Sequence, residues 1–291
     1  MSTVLKMENI TKSFGKKDVL KKLNFDIPSG SVVGLLGKNG AGKTTLMKCA
    51  LGLIKAQSGQ ISILGEDAWN MSPSVKARLG YVAQQPSFNY WMRVGDVVNY
   101  TASFYPAWNT GMVNQLIRDW ELDIKDTAVK LSEGQKQRLS IILALGNEPD
   151  LLILDEPAAS LDPAARRQFL KTILDIVADR GCTVLFSSHI TSDVERIADK
   201  VAFLNEGKII FTGETDSLKD TVKLLKVIFN GTQPLPLDVP GMLRIRTARD
   251  QALIYVKDFN MDLKTQLEQR WDARIDIADL NLEEIFVEMT Q

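Results

Sequence analysis

The chain has 291 residues, of which 45% are hydrophobic and 24% charged, and its net charge is −1 at pH 7. This composition is typical of a soluble globular protein, and the length suits one large domain with a smaller one. The near-zero charge gives no general attraction to nucleic acid or anionic lipid. No apolar run approaches the roughly 18 residues that span a bilayer. The N-terminus also lacks a signal-peptide core, so we expect a cytoplasmic protein.

The first 80 residues predict short strands, a helix and further strands. VLKMENI and LNFDI carry apolar residues in the manner of strands. SVVGLLG is an apolar run typical of a strand buried on both faces, and KTTLMKCALGLI has helical spacing. The two cysteines, Cys49 and Cys182, lie far apart and outside any metal-ligand spacing, so we expect reduced thiols.

The segment GKNGAGKTT joins that buried strand to the helix. Gly37, four further residues and then Gly42-Lys43-Thr44 form the P-loop pattern, in which backbone N–H groups face phosphate oxygens. Lys43 supplies a positive charge to the β and γ phosphates, and Thr44 offers a hydroxyl to Mg²⁺. A glycine turn that binds nothing is the alternative, but the strand before it and the helix after it favour the P-loop.

Residues about 86–147 predict a helical insertion. Its part up to residue 130 holds Trp91, Trp108 and Trp120, three of the five tryptophans. Exposed aromatic side chains here would form a docking surface. Alternatively, they pack a small helical core.

LSEGQKQR, residues 131–138, begins the last helix of the insertion. Ser132 and Gln135 have the spacing of a capping box, which by itself explains their presence. A helix start with a small serine and Gly134 also leaves N–H groups for an anion. The two interpretations are compatible.

Strands and helices alternate over residues 131–215, which predicts a mostly parallel sheet with helices on its faces. The run LLILDE ends in Asp155 and Glu156. Acids often terminate strands, but beside a P-loop Asp155 would hold Mg²⁺ through water and Glu156 would activate the attacking water. His189, the only histidine, follows the run CTVLFSS and is either a polar strand-end residue or part of the same site.

After residue 220 the pattern changes to strands around VKLLKVIF, LRIRT, ALIYV and RIDIA, with helices around DLKTQLEQRW and NLEEIFVEM. Asn281 and Glu284 have capping-box spacing. We therefore expect a 1–220 domain and a small α+β accessory domain at 221–291.

Taken together, the motifs GKNGAGKTT, YVAQQ, LSEGQ, LLILDE, ASLD and SSH resemble the ATP-binding subunits of ABC transporters over residues 3 to about 220. The resemblance implies a P-loop NTPase of the ABC ATPase type, with a mostly parallel core sheet, an N-terminal antiparallel β part and the helical insertion. It implies catalytic roles for Glu156, His189 and Gln84, with His189 contacting the γ-phosphate. Thr44, Gln84 and Asp155 would form the Mg²⁺ site.

The resemblance also implies an ATP-binding set. Phe14 would stack on adenine, unless it is an ordinary core residue. The remaining members come from the P-loop and from the signature LSEGQ of the opposite subunit: Gly37, Asn39, Gly40, Gly42, Lys43, Thr44, Thr45, Ser132, Gly134 and Gln135. Asp162 would lie at the dimer interface. Glu133 departs from the family, which most often has glycine there, and we expect its side chain to turn away from the phosphates.

Each part of the expected site follows an apolar strand, and a parallel sheet therefore gathers these parts at one edge. They are the phosphate loop, Gln84, Asp155, Glu156 and His189. Two copies, identical or different, would enclose two ATP molecules and drive a membrane permease. We therefore expect a peripheral protein on the inner face of the cell membrane that has no nucleic-acid partner. The C-terminal ending resembles export-type subunits.

Two rival interpretations stay open. A soluble ABC ATPase of translation or DNA repair would carry two cassettes or a long coiled coil, and neither pattern is seen here. A nucleotide-gated dimeriser or regulator with little turnover would not need Glu156.

Overall fold

The computed structural model describes residues 2–89, 91–231 and 236–290. Its contacts divide the chain into two compact units, Met1–Thr212 and Gly213–Gln291. The sequence-based boundary near residue 220 remains a prediction. No helix within the described part of the chain has both the length and the apolar character needed to span a bilayer.

The strands and helices follow one another in an order that matches the sequence pattern. The strands are β1 (Thr3–Phe14), β2 (Lys17–Pro28), β3 (Val32–Leu36), β4 (Ser58–Ile63), β5 (Glu66–Asp67), β6 (Leu79–Val82), β7 (Leu151–Leu154), β8 (Thr183–Ser188), β9 (Lys200–Asn205), β10 (Lys208–Glu214), β11 (Lys223–Phe229), β12 (Met242–Ala248), β13 (Gln251–Val256) and β14 (Ala273–Asp279). The helices are α1 (Lys43–Ala50), α2 (Pro73–Lys76), α3 (Val94–Ala102), α4 (Thr110–Asp119), α5 (Glu133–Leu145), α6 (Pro163–Arg180), α7 (Thr191–Ile197), α8 (Thr215–Thr221), α9 (Met261–Trp271) and α10 (Leu282–Met289).

A sheet in the order β10-β9-β3-β8-β7-β6 forms the centre of the first unit. β3 pairs in parallel with β8 and β9, and β7 pairs in parallel with β8 and β6. Every residue of β3, β7 and β8 is buried, which explains their continuous apolar runs. The carboxyl ends of five neighbouring strands, β9, β3, β8, β7 and β6, therefore meet at one edge. The predicted mostly parallel core sheet is confirmed.

A second, antiparallel sheet in the order β2-β1-β4-β5 completes the β structure of the first unit. β1 and β2 form a hairpin in which Phe14 pairs with Lys17, and Gly15 turns the chain with φ of 59°. A positive φ is easily adopted by glycine because it has no Cβ. This sheet is the predicted N-terminal antiparallel part.

Three helices, α3, α4 and α5, lie between β6 and β7 and form the predicted insertion. Its aromatic side chains differ in exposure. Trp120 is only 2% exposed, whereas Trp91 is 77% exposed. Trp108 fills the space beside Gly146, where an added Cβ would lie 2.3 Å from its ring.

The second unit contains an antiparallel sheet in the order β12-β13-β11-β14. One face packs against α9, and Trp271 contacts Phe229 with 6.2 Å between ring centroids. The predicted capping box begins α10: Asn281 Oδ1 accepts from Glu284 N, and Glu284 Oε2 accepts from Asn281 N, both at 2.9 Å. The predicted α+β domain is confirmed.

Candidate functional site

The loop of residues 37–42 connects β3 to the start of α1. Its path requires glycine at several positions: Gly40 and Gly42 have φ of 81° and 111°, and a Cβ on Gly37 would lie 2.7 Å from the Leu204 carbonyl oxygen. Gly42 is the N-cap of α1, whose first N–H groups have no partner within the helix. The loop and helix start thus present backbone donors to an anion.

Lys43 is the buried cation of this loop. Its side chain is 7% exposed, and its Nζ donates to the Gly37 carbonyl oxygen at 2.7 Å and lies 3.2 Å from Glu156 Oε1. Since an isolated buried charge is costly, each side chain compensates the other. The P-loop ammonium and the carboxylate after β7 therefore occupy one site.

Asp155 and Glu156 follow β7 and are both buried. Ser187, at the end of β8, connects them: its hydroxyl donates to Asp155 Oδ1 and accepts from the Glu156 backbone N–H, both at 2.9 Å. Glu156 has φ of 50°, which is uncommon outside glycine. This backbone conformation is typical of positions that the surrounding structure constrains, often at functional sites.

His189 lies beside Glu156. Its Nδ1 is 2.6 Å from Glu156 Oε2, and its backbone N–H donates to the same oxygen at 3.2 Å. An ionised carboxylate only accepts hydrogen bonds, so the tautomer of His189 with its proton on Nδ1 is the one that donates to Glu156. The imidazole is 53% exposed although its partner is 6% exposed. His189 therefore connects the buried acid to the surface of the site.

A cavity of about 450 Å³ opens beside the P-loop, a size typical of small-molecule sites. Its lining residues combine the loop, the β1–β2 hairpin and the ends of β6 and β7: Phe14, Lys17, Val19, Lys38, Asn39, Gly40, Gly42, Lys43, Thr44, Thr45, Gln84 and Glu156. Phe14 is 52% exposed, so it is not a core residue. Lys12 Nζ lies 5.2 Å from the centre of its ring.

Gly37, Asp155 and His189 are not among the lining residues, although each lies next to one that is. Three lining residues, Lys17, Val19 and Lys38, were missed by the sequence analysis. Lys17 could have been found from the hairpin, because it pairs directly with Phe14. Ser187, which connects the two acids, was given no role from the sequence, although it is the first residue of the SSH motif.

The residues expected at the metal site fit Mg²⁺, which prefers oxygen ligands. Thr44 and Gln84 bring a hydroxyl and an amide oxygen to the cavity. Asp155 is fully buried, and its Oδ2 accepts no hydrogen bond from any residue that the structure describes. Such an oxygen is suited to a cation. Burial, together with the charge of Asp155, raises the pKa of Tyr81 to about 12, so its hydroxyl stays protonated.

Ser132, Gly134 and Gln135 lie at the start of α5 and do not line this cavity. The capping box is present: Ser132 Oγ accepts from Gln135 N at 3.2 Å, and Gln135 Oε1 accepts from Ser132 N at 2.9 Å. Glu133 Oε1 is 2.7 Å from Lys136 Nζ on its own helix. The helix start remains on the surface of this copy.

Asp162 caps α6 and also holds the signature helix. Its Oδ1 accepts from the N–H groups of Ala164 and Ala165, and its Oδ2 accepts from Arg138 at 2.9 Å. The hydrogen bond from the Ala165 backbone N–H is the main cause of the lowered pKa of Asp162, and the interaction with Arg138 lowers this pKa further. A Cβ on Gly134 would lie 3.1 Å from the Ser160 carbonyl oxygen. The ASLD turn and the signature helix are thus in contact.

The fold and this site define a P-loop nucleoside triphosphatase. Residues 20–159 match the ABC transporter family. The bacitracin transport ATP-binding protein BcrA of Bacillus licheniformis is 35% identical over 75% of this chain and 72% of its own length. The Nod factor export ATP-binding protein I of Paraburkholderia xenovorans (strain LB400) is 31% identical over 98% of this chain and 96% of its own.

Among solved structures, one described as the ATP binding subunit of an ABC transporter superimposes with a TM-score of 0.69 and 27% identity, covering 75% of this chain and 92% of that one. The chain therefore belongs to the ATP-binding proteins of the ABC transporter family. It is an ATPase, and the hydrolysis of ATP by members of this family is coupled to transport.

Proposed function

We propose that this chain is the ATPase subunit of an exporter and that two copies, or this chain and a similar one, act on a separate membrane permease. The observation that carries the proposal is the contact between three motifs at one edge of the sheet. Glu156, which follows β7, lies 3.2 Å from Nζ of Lys43 in the P-loop. It also lies 2.6 Å from Nδ1 of His189, which follows β8. Such a cluster beside a phosphate-binding loop supports hydrolysis of a phosphate anhydride.

Each side chain has a distinct role in this proposal. Lys43 pairs with Glu156 here and would pair with the phosphates of ATP instead, since phosphate offers the ammonium a stronger anionic partner. Glu156, released from Lys43, would act as the general base for the attacking water. His189 would orient Glu156 through Nδ1 and reach the γ-phosphate. Phe14 would stack on the adenine ring.

Magnesium would be held by Thr44, Gln84 and Asp155. When bound, it would neutralise charge that develops on the transferred phosphoryl group. Ser187 supports this arrangement because its hydroxyl fixes Asp155 Oδ1 and leaves Oδ2 available. The rest of the phosphate loop, Gly37 to Thr45, would hold the phosphates through backbone N–H groups.

The signature residues Ser132, Gly134 and Gln135 would complete the site of the opposite subunit. Their surface position at the start of α5 supports this role, because the free N–H groups of a helix start bind anions. Asp162 would lie at the same interface. Hydrolysis would then require closure of two subunits on ATP.

The permease would dock on a groove of about 650 Å³ between the core and the insertion of the first unit. Aromatic and apolar side chains line it, among them Trp69, Phe88, Met92 and Tyr100. Gln84 lines the nucleotide cavity, and residues 87–89 of the same segment line this groove. A shift of Gln84 on ATP binding would therefore move part of the docking surface.

Export is favoured over import because a Nod factor export protein resembles the chain over 98% of its length, including the second unit. The protein would then lie at the cytoplasmic face of the membrane through its permease. The membrane protein that co-purifies with it from native membranes would identify the permease.

The test is the ATPase rate of Glu156→Gln compared with wild type, with Glu121→Gln as the control for an exposed acid outside the site. Loss of a general base lowers turnover by about 10²–10⁴-fold. We expect a loss in this range with ATP binding retained and no change in the control. Equal rates for Glu156→Gln and wild type would favour the nucleotide-gated dimeriser instead.

A further inference from the structure

Asp193 is a buried acid that the proposed chemistry does not use. It lies in the first turn of α7, four residues after His189, and is 4% exposed. Burial raises its pKa, and interactions with Arg166, Arg196 and His189 oppose that rise. A buried carboxylate in this position needs a cationic partner to remain charged.

Arg166 of α6 provides that partner. Its Nε lies 3.7 Å from Asp193 Oδ2. Neither of these two buried atoms forms a hydrogen bond with any group in residues 2–89, 91–231 or 236–290. The attraction between them is therefore electrostatic and is screened by salt less than that of an exposed pair. It connects α6 to the helix that begins directly after His189.

An adjacent face of α7 is fixed as well. A Cβ on Gly34 of β3 would lie 2.2 Å from Val194 Cγ1, so α7 packs directly on the strand that leads into the P-loop. Arg166 lies one turn after Asp162, which caps α6 and binds Arg138 of the signature helix. Helix α7 is thus held between the P-loop strand and the helix that follows the ASLD turn.

We propose that Arg166 and Asp193 are positioning residues for His189, holding α7 so that the imidazole stays within hydrogen-bond distance of Glu156. The pair also connects this imidazole, through α6 and Asp162, to the signature helix of the same copy. This inference rests on the proposed role of His189 in hydrolysis. It concerns residues that touch neither the cavity nor the reacting atoms.

The experiment compares Asp193→Asn, Arg166→Gln and the double variant in the full chain. Arg167→Gln is the matched control, since Arg167 is the exposed neighbour of Arg166 on α6. We expect kcat to fall about ten-fold in each single variant and no further in the double variant, because coupled residues are not additive. The KM for ATP should change less than about two-fold, since ground-state binding is unaffected.

Two measurements separate positioning from simple loss of stability. In a His189→Ala background, Asp193→Asn should leave the residual rate unchanged, because its effect passes through the imidazole. The imidazole ¹⁵N signals of the only histidine need no assignment, and the Nδ1 signal should move in Asp193→Asn and Arg166→Gln but not in Arg167→Gln. Arg166→Lys, which keeps the charge, should recover most of the rate.

The outcomes distinguish the two proposals. If His189→Ala hydrolyses ATP at the wild-type rate, the proposed role of His189 fails. If His189→Ala is impaired but Asp193→Asn keeps wild-type kcat and an unchanged imidazole signal, the positioning role fails. Additive losses, or equal losses in the presence and absence of His189, would also overturn it.

Discussion

The two compact units place their polar residues differently because their sheets are built differently. In the first unit, parallel strands all end at one edge, so residues after β3, β7 and β8 meet around Glu156. In the second unit, neighbouring strands run in opposite directions and their ends alternate between two edges. Parallel topology therefore gathers chemistry from distant parts of the sequence, and antiparallel topology disperses it.

The charged residues of the second unit form pairs on its sheet instead. Lys223 and Asp279 lie directly opposite on β11 and β14 with 2.6 Å between Nζ and Oδ1. Arg274 and Asp276 pair along β14 at 3.2 Å. The exposed pair of Arg274 and Asp276 contributes little to stability. We interpret the second unit as a packed accessory domain whose own residues take no part in hydrolysis.

The strongest test of this comparison is Trp271→Ala in the core of the second unit. Removal of a buried tryptophan costs about 3–5 kcal/mol, and we expect a loss of this size in the free energy of unfolding. The cavity lining that the structure describes lies entirely within residues 14–156, so the ATPase rate should stay within about two-fold of wild type. Denaturant unfolding and steady-state hydrolysis measure the two effects.

Met261→Ala is the control, since Met261 lies on the same helix and is 60% exposed. It should change neither quantity. Loss of ATPase activity in a Trp271→Ala protein whose first unit is still folded would show that the second unit takes part in turnover. The comparison between the units would then be wrong.

The sequence predicted the parallel core and the residues after its strands because each lies next to a continuous apolar run. It could not predict contacts set by tertiary packing. Lys17 and Val19 reach the cavity through the β1–β2 hairpin, and the pair of Arg166 and Asp193 joins residues 27 positions apart on different helices.

The exposure of individual side chains could not be predicted from the sequence either. Helical spacing predicted the insertion, but it did not indicate that Trp120 is in its core while Trp91 faces solvent. The signature residues show a related limit. The capping box at Ser132 and Gln135 is local and was predicted, whereas the proposed partner of that helix start would lie on another copy.

A smaller effect is expected from Phe14→Ala, which tests whether the antiparallel sheet contributes to the nucleotide site. An aromatic stacking contact is worth about 0.5–1.5 kcal/mol, so the Kd for ATP should rise about 2–10-fold. Phe14→Tyr should bind ATP as wild type does because it keeps the ring. Isothermal titration of each variant with ATP measures the change.

Inorganic tripolyphosphate sharpens this measurement because it has phosphates but no base. Its affinity should be the same for Phe14→Ala and wild type. Phe104→Ala, at an exposed phenylalanine of the insertion, should affect neither ligand. An equal loss of affinity for ATP and tripolyphosphate in Phe14→Ala would contradict stacking and indicate a disturbed phosphate loop.

The smallest effect concerns Glu133, the third residue of the LSEGQ motif, where the resemblance implies glycine. Its carboxylate is held by Lys136 on the same helix, so its repulsion of a triphosphate across the proposed dimer interface would be only partly cancelled. We expect Glu133→Gly to strengthen ATP-dependent dimerisation by about 0.3–1 kcal/mol, the usual size of an exposed charge effect at a helix end. Glu133→Gln, which removes the charge and keeps the side chain, should act in the same direction.

Sedimentation of the Glu156→Gln protein, in which hydrolysis does not consume the ATP, measures dimerisation with and without Glu133→Gly. The gain should shrink as salt rises, because the screening length falls from about 10 Å at 0.1 M to about 3 Å at 1 M. Glu121→Gln again serves as the control. An unchanged dependence of dimer formation on nucleotide would mean that Glu133 does not face the triphosphate, and its pair with Lys136 would then serve only the start of α5.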